Sequence, residues 1–351
     1  MAAESRWADD VVLAQSGAVA IVAHDGTPLT LVVHRPFSLR NSAADVLVVL
    51  PRAGGAAAMD LHGLVNGVHE LGMDVVVLGV RGTGLSGGPR GDVSDTEVAL
   101  VDVLTMLDAV KKRGHPGMLL LGHASGCALL VHALAAMTAA GDVDHVRGVM
   151  LVNPSVRFGP RRKPGLLRRA AFAFNSTFRS TARVVRLWPE SRLHEINHVP
   201  DREEAELREV DDSVVSVFTV RFAKVMSTLA ETSVHAARSC HLPLLLLAGV
   251  EDQLSTGARD IFDAWGAHNK RWIDVQGAGH GSQCVNMAAG PITDWMLEQN
   301  RNLVRIGADE MHACDRGAFD DDDTYSYSSD EAGADGDASL SHEFSSYTDE
   351  S

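Results

Sequence analysis

Met118-Leu-Leu-Leu-Gly-His-Ala-Ser-Gly-Cys-Ala128 is the stretch from which the rest of the chain is read. Met118 to Leu121 form an apolar run of strand length, and Ala128, Leu129 and Leu130 open an apolar helix. Gly122 and Gly126 lie two residues either side of Ala124. The pattern predicts a strand, a sharp turn centred on Ala124 and a helix. The centre of such a turn is strained and crowded, which leaves room only for small residues two before and two after it. Centring it on Ser125 instead would put His123 and Cys127 in those small positions, and His123 would crowd the turn. The glycines therefore fix the register: Ala124 takes the centre, and Ser125 follows one position late.

Outward from this turn, strands and helices alternate. Residues 17–35 alternate in polarity around Asp25-Gly26, the turn signal of a β-hairpin. Residues 45–50 are a second buried run, ending at Pro51-Arg-Ala-Gly-Gly55. Leu61, Leu64, Val65, Val68 and Leu71 then recur at helical spacing up to Gly72. Residues 75–78 form the next strand, and Ser94-Asp-Thr-Glu97 reads as a capping box for a helix closed by Lys111, Lys112 and Arg113. Downstream, 149–152, 243–249 and 271–275 are strand-like. Helical segments are expected from about Ser255 and around Ile292, Trp295 and Met296. Parallel strands joined by helices need both faces covered, so the fold class expected is α/β: a mostly parallel twisted sheet with helices on both faces.

Residues 155–238 interrupt this alternation. Between Arg157 and Trp188 stand nine Lys or Arg and no acid, interleaved with Leu167, Phe174, Phe178 and other apolar residues. Residues 201–210 and 214–229 have helical patterning. The division expected is 1–154 and 239–307 as two parts of one α/β core, 155–238 as a helical cap over the site, and 308–351 as an acidic tail. From Asp309 to Ser351 there are fourteen acids and one arginine, a net charge of −13 out of −15 for all 351 residues. With hardly an aliphatic side chain, that tail cannot bury enough apolar surface to order itself.

The remaining body is near neutral, so a basic footprint for nucleic acid is absent. Cys127, Cys240, Cys284 and Cys314 are scattered without C-x-x-C spacing, which favours free thiols in a reducing compartment. The first ten residues, MAAESRWADD, have no basic segment followed by an apolar one, so no secretory signal is expected. There is no H-E-x-x-H or paired metal spacing, and neither a metal nor a cofactor is expected.

Several motifs in order resemble one family, the monoacylglycerol-lipase and serine-aminopeptidase branch of the α/β-hydrolases, over about residues 18 to 300. Arg81-Gly-Thr-Gly-Leu-Ser-Gly-Gly-Pro-Arg-Gly91 resembles its R-G-H-G-x-S-G-G-P-R-G loop, and Gly122-His-Ala-Ser-Gly126 its G-H-S-M-G nucleophile elbow. Gly249-Val-Glu-Asp252 is similar to the G-x-x-D that supplies the acid, and Gly279-His280 to the segment that supplies the histidine. Residues 201–225 resemble its second cap segment. The resemblance implies an α/β-hydrolase fold with Asp252 and His280 as acid and base. It also implies oxyanion donors at the backbone N–H of Ser125 and at Gly54, in a loop that is H-G-x-G in the family and Arg52-Ala-Gly-Gly55 here. Ala124 stands where the family has its serine, Gly79 where it has aspartate, and Thr83 where it has histidine.

Acyl transfer in such a fold needs a nucleophile, a base held in one tautomer and donors for the oxyanion. A methyl group at 124 removes the first. Two functional readings stay open. In one, the protein is a catalytically impaired hydrolase that binds a lipid or acyl ligand, or a protein partner. In the other, it is a lipase or esterase that uses Ser125, or a His280–Asp252 base acting on water. Asp252 and His280 read equally as an inherited hydrogen-bonded pair. His123 reads as a packed core histidine, Cys127 as a small buried hydrophobe, and Cys284 as too far past His280 to serve as nucleophile. The basic cap stretch 157–188 can set its arginines opposite Leu167, Ala171, Phe174 and Phe178, as a lid at a membrane surface would. The location expected is the cytoplasm, with peripheral membrane contact.

Overall fold

In the computed structural model, described over residues 14–36, 45–54, 61–158, 179–186 and 214–300, eight strands form one sheet. They are β1 (Ala14–Val22), β2 (Pro28–Pro36), β3 (Val46–Leu50), β4 (Val75–Leu78), β5 (Met118–His123), β6 (Val146–Val152), β7 (Leu244–Gly249) and β8 (Lys270–Val275). Their order is β1-β2-β4-β3-β5-β6-β7-β8. β2 runs antiparallel to both its neighbours, and every other pairing is parallel. The expected hairpin closes where Val22 pairs with Pro28, with Gly26 at φ 84° in its turn.

The described helices are α1 (His62–His69), α2 (Thr96–Lys111), α3 (Ser125–Ala140), α4 (Val220–Ala237), α5 (Ala258–Ala264), α6 (Gln283–Met287) and α7 (Ala289–Gln299). They explain why the central strands are apolar at every position: each strand faces a helical layer on both sides. Met118 and Leu120 of β5 join one cluster with Val103, Leu130, Phe222 and Ile261 from α2 to α5. Leu119 and Leu121 join the opposite one with Leu64, Val285, Ile292 and Trp295 from α1, α6 and α7. The Trp295 ring closes against β6 at Gly148, where any Cβ would overlap the indole. From β3 the chain steps to β4 on one side and then to β5 on the other. Loops leaving the carboxyl ends of β3 and β5 therefore diverge and open a crevice between them.

Local expectations shift at three places. The N-cap of α2 is Asp95, one residue after Ser94. Its carboxylate accepts from the Val98 amide at 2.8 Å and from the Ser94 hydroxyl at 2.8 Å. These bonds hold the Asp95 carboxyl below its ordinary value, and an anion there also suits the helix dipole. The helix read over 214–229 starts later, because Val217–Thr219 pairs antiparallel with Arg183–Arg186. α4 then begins behind Thr219, whose hydroxyl accepts from the Phe222 amide at 3.1 Å. Ser255–Thr256 pairs with Arg157–Phe158 rather than opening a helix, and α5 follows Gly257 at φ 93°.

α4 lies in the layer on the sheet, against α3, where His132 Nε2 is 3.0 Å from the Leu229 carbonyl oxygen. The remaining stretches of the expected cap, 159–178 and 187–213, and the tail 308–351 lie outside the described residues. Among the described residues, no helix is long and apolar enough to cross a membrane.

Candidate functional site

The turn anticipated between Gly122 and Gly126 occupies one residue. β5 ends at His123, α3 begins at Ser125, and Ala124 between them has φ 50° and ψ −115° at 2% exposure. A non-glycine residue held in such a region costs on the order of 1–3 kcal/mol, so its surroundings must impose it. The Ala124 amide donates to the Val152 carbonyl at 2.9 Å, and the Ala124 carbonyl accepts from the Cys127 amide at 3.1 Å. A Cβ on Gly122 would lie 2.8 Å from the Cys127 Cα, and one on Gly126 would run into the carbonyls of Leu50 and Pro51. The two glycines let strand, turn and helix pack directly beneath β3. The backbone thus adopts the register centred on Ala124.

Ser125 turns toward the neighbouring loop. Its Oγ accepts from the Ala53 amide at 2.7 Å, tying residues 51–54, which leave the carboxyl end of β3, to the start of α3. Gly54 in that loop sits at φ 77°, and a Cβ there would meet the Val215 carbonyl oxygen and lie 2.9 Å from the Phe218 ring. The loop's essential glycine is therefore Gly54, and Ala53 is accommodated at the position before it. Ser125 is the first residue of α3, so its N–H is among those a helix leaves without an internal acceptor. Among the described residues, neither the Gly54 nor the Ser125 amide is seen in a hydrogen bond. Arg52, at 9% exposure, places a buried guanidinium in the same loop.

Asp252 and His280 come together as anticipated. His280 Nδ1 is 2.9 Å from Asp252 Oδ2, with both side chains less than a tenth exposed. A carboxylate only accepts, so Nδ1 carries the proton and Nε2 lies on the opposite edge of the ring. Asp252 is held by its own loop, where Oδ1 accepts from the Leu254 amide at 2.8 Å. The two loops lock together through the Glu251 amide, which donates to the Ala278 carbonyl at 2.9 Å, and at Gly249, where a Cβ would lie 2.5 Å from the carbonyls of Ala278 and Gly279. His123 is buried as expected, its Nε2 3.4 Å from the His280 carbonyl oxygen, which brings the histidine loop against the residue before Ala124.

Sequence reasoning missed the residue that joins these pieces. Asn153, the residue after the strand-like run 149–152, has φ 49° and is buried. Its Nδ2 donates to the Gly279 carbonyl at 2.8 Å, and its Oδ1 accepts from the Gly249 amide at 2.7 Å. It staples the loops carrying Asp252 and His280 from the end of β6. The available signal was an amide side chain at the carboxyl end of a fully apolar strand.

The loop 81–91 is a scaffold. Arg81 bonds Asp102 on α2 and Asp25 in the hairpin turn, which holds the Asp25 carboxyl well below its ordinary value. Ser86 Oγ accepts from the Thr30 amide at 2.9 Å and donates to the Gly79 carbonyl at 2.8 Å, while Thr83 Oγ1 donates to Val80 at 2.7 Å. A Cβ on Gly79 would lie 2.5 Å from Ser86 Oγ, which explains glycine there. Cys127 is buried against the carbonyls of Gly122 and Val152, and burial pushes its thiol far up. Cys284, also fully buried, packs in the cluster of α1, α6 and α7. Among the described residues, no group of three or more His, Cys, Asp or Glu is placed to share a metal ion.

The assembled site has an oriented imidazole that can take or give a proton, two backbone amides flanking the elbow, and a methyl group at the elbow's centre. Residues 42–283 match the family model described as serine aminopeptidase, S33. The structure resembles that of a monoacylglycerol lipase from Paleococcus ferrophilus, with a TM-score of 0.61 at 16% identity, covering 82% of this chain and 100% of that one. It also resembles a soluble variant of monoglyceride lipase from Saccharomyces cerevisiae, solved with a substrate analog, with a TM-score of 0.67 at 13% identity, covering 82% and 96%. An alpha/beta hydrolase from Penicillium sp. sh18 gives a TM-score of 0.60 at 16% identity over 82% and 99%. No curated protein is matched by the sequence.

Proposed function

The chain belongs to the serine aminopeptidase S33 family and has the α/β-hydrolase fold, and from that premise we propose that it is a catalytically impaired hydrolase that binds a lipid or acyl ligand. The observation that carries this reading is Ala124 at the centre of the elbow, at φ 50°, with no oxygen to attack a carbonyl. Ser125 does not substitute, because its Oγ is engaged by the Ala53 amide on the side of the β3 loop. Loss of a triad nucleophile lowers kcat by roughly a million-fold in a serine protease, leaving what oxyanion donors and binding supply. The acyl character of the ligand comes from the monoacylglycerol-lipase-like fold.

A fluorophosphonate probe and a monoacylglycerol panel, applied to the protein and to Ala124→Ser, test the proposal. The expected result is no labelling and no serine-dependent turnover in the protein itself, with both appearing in Ala124→Ser. Labelling at Ser125 in the unmodified chain would overturn it. The retained His280–Asp252 bond favours a second reading, in which that pair activates water. That reading requires slow turnover that resists fluorophosphonate and disappears in His280→Ala.

The basic stretch 157–188, of which 157–158 and 179–186 are described, supports a further proposal, peripheral contact with an anionic membrane. The protein is expected to sediment with anionic vesicles and to be released by salt. Equal sedimentation with neutral vesicles would exclude the charge-driven contact.

A further inference from the structure

A working serine hydrolase offers a carbonyl carbon one oxygen to attack it and two donors to receive the negative charge that results. Here the attacking oxygen is gone and the receiving frame remains. The Gly54 and Ser125 amides are not engaged among the described residues, and the second opens the sixteen-residue helix α3 with the positive end of its dipole. The loop carrying Gly54 is held to the elbow by the bond from the Ala53 amide to Ser125 Oγ, so the frame is fixed. Arg52 adds a buried positive charge to that loop.

No tetrahedral oxyanion can form over a methyl group by serine attack, so the ligands this frame meets are planar. An ester or amide carbonyl brings a partial charge on one oxygen, whereas a carboxylate brings a full charge over two. The serine oxygen of an active enzyme would crowd and repel the second of those oxygens. Ala124 has no lone pair there, and its methyl is smaller than the hydroxymethyl it replaces. We propose that this site is a receptor for free carboxylic acids: one carboxyl oxygen lies in the frame of the Gly54 and Ser125 amides, and the other lies over Ala124 on the side of His280. This rests on the reading that the site binds an acyl ligand without turning it over.

Proton balance follows from the neighbouring charges. Asp252 is an anion bonded to Nδ1 of His280, so a second carboxylate beyond the ring requires a proton between itself and Nε2. The acid brings that proton, or the complex takes it from solvent, and the proton joins ligand and imidazole whichever side it resides on. No covalent bond forms or breaks. Of the titratable groups, Asp252 meets the Nδ1 of His280 and His123 meets its carbonyl, while Arg52 stands in the loop after β3.

Calorimetry on the full-length protein with decanoate, decanamide and 1-monodecanoylglycerol provides the test, repeated in buffers of different ionisation enthalpy. Decanoate is expected to bind at least tenfold more tightly than either neutral compound, with net proton uptake. Ala124→Ser is expected to weaken decanoate at least tenfold and decanamide by less than threefold, and His280→Gln to abolish proton uptake. Equal affinity for the acid and the neutral compounds in the unmodified protein, which needs no variant, would overturn the carboxylate assignment and leave the acyl-ligand reading standing. Decanoate affinity unchanged in Ala124→Ser would overturn it too. Binding of none of the three would defeat both readings together.

Discussion

The hydroxyl of Ser125 has a structural task that its place beside the elbow does not announce. Its partner, the Ala53 amide, is 72 positions away in the chain and belongs to a buried residue. Removing the acceptor strands that donor, which costs about 1–3 kcal/mol in a buried setting. Ser125→Ala is therefore expected to lower the unfolding free energy by that amount in denaturant titrations and to accelerate hydrogen exchange at Ala53. Unchanged exchange there would show that the loop is held by something else. The register of the turn was readable in the sequence because the steric limit on Gly122 comes from Cys127, five residues on, and the two glycines bracket one position. The roles of Ser125 and Asn153 were hidden because each depends on which strands the sheet makes neighbours: β3 beside β5, and β6 beside β7.

Among the elements, the antiparallel pair formed by 183–186 and 217–219 packs against the loop carrying Gly54. Gly54 faces Val215 and Phe218, and a Cβ on Gly91 would meet the Val217 carbonyl oxygen at 2.5 Å. Asp92, buried beside Gly91, accepts from the Thr219 hydroxyl at 2.5 Å and from the Arg221 guanidinium. Burial pushes the Asp92 carboxyl up, but the bonds from Arg221 and Thr219 outweigh it and leave the group below its ordinary value. A carboxyl lowered in the folded state stabilises above its unfolded pKa of about 3.9 and loses that contribution as pH falls toward the folded value. Asp92→Asn is expected to be less stable by about 1–3 kcal/mol at pH 7, and the gap should close below about pH 4 in denaturant titrations. A gap independent of pH would assign the loss to shape rather than charge. The sequence showed Val217–Thr219 as the start of a helix because strand pairing with residues more than thirty positions earlier leaves no local trace. The N-cap of α2 moved by one residue because Ser94 and Asp95 are both good caps and only the geometry of the first turn selects between them.

Across the whole molecule, stability should depend on pH through a part of the sheet that the site does not use. His34 on β2, His69 at the end of α1 and Asp74 before β4 are buried together. Burial lowers both imidazoles, and in His69 the nearby Asp74 charge pulls weakly the other way. The unfolded chain then binds protons first, so the stabilisation is complete above about pH 6.5 and is lost as pH falls below it, at up to about 1.4 kcal/mol per proton per pH unit. The thermal midpoint is expected to fall between pH 7.5 and 5.5, and a His34→Gln, His69→Gln double variant should flatten that slope. An equally steep slope in the variant would place the titrating groups elsewhere. The sheet itself was legible because short apolar runs bounded by turn residues, such as 46–50 and 118–121, fit strands covered on both faces, and the two pair in parallel. The pair of Asp252 and His280 was legible through the resemblance alone. Nothing within either short motif states that Nδ1 and Oδ2 meet, and only the crossing of the loops after β7 and β8 brings them together.

Any residue at position 124 takes φ 50° before it contributes chemistry, because that conformation is set by Gly122, Gly126, Val152 and Cys127 rather than by the side chain displayed. Shape and reactivity are thereby separable here. Alanine and serine at this position differ by a single oxygen atom, and exchanging one for the other leaves strand, turn and helix as they are. In evolutionary terms the position works as a toggle: selection for holding a ligand and selection for cleaving it would act on one codon.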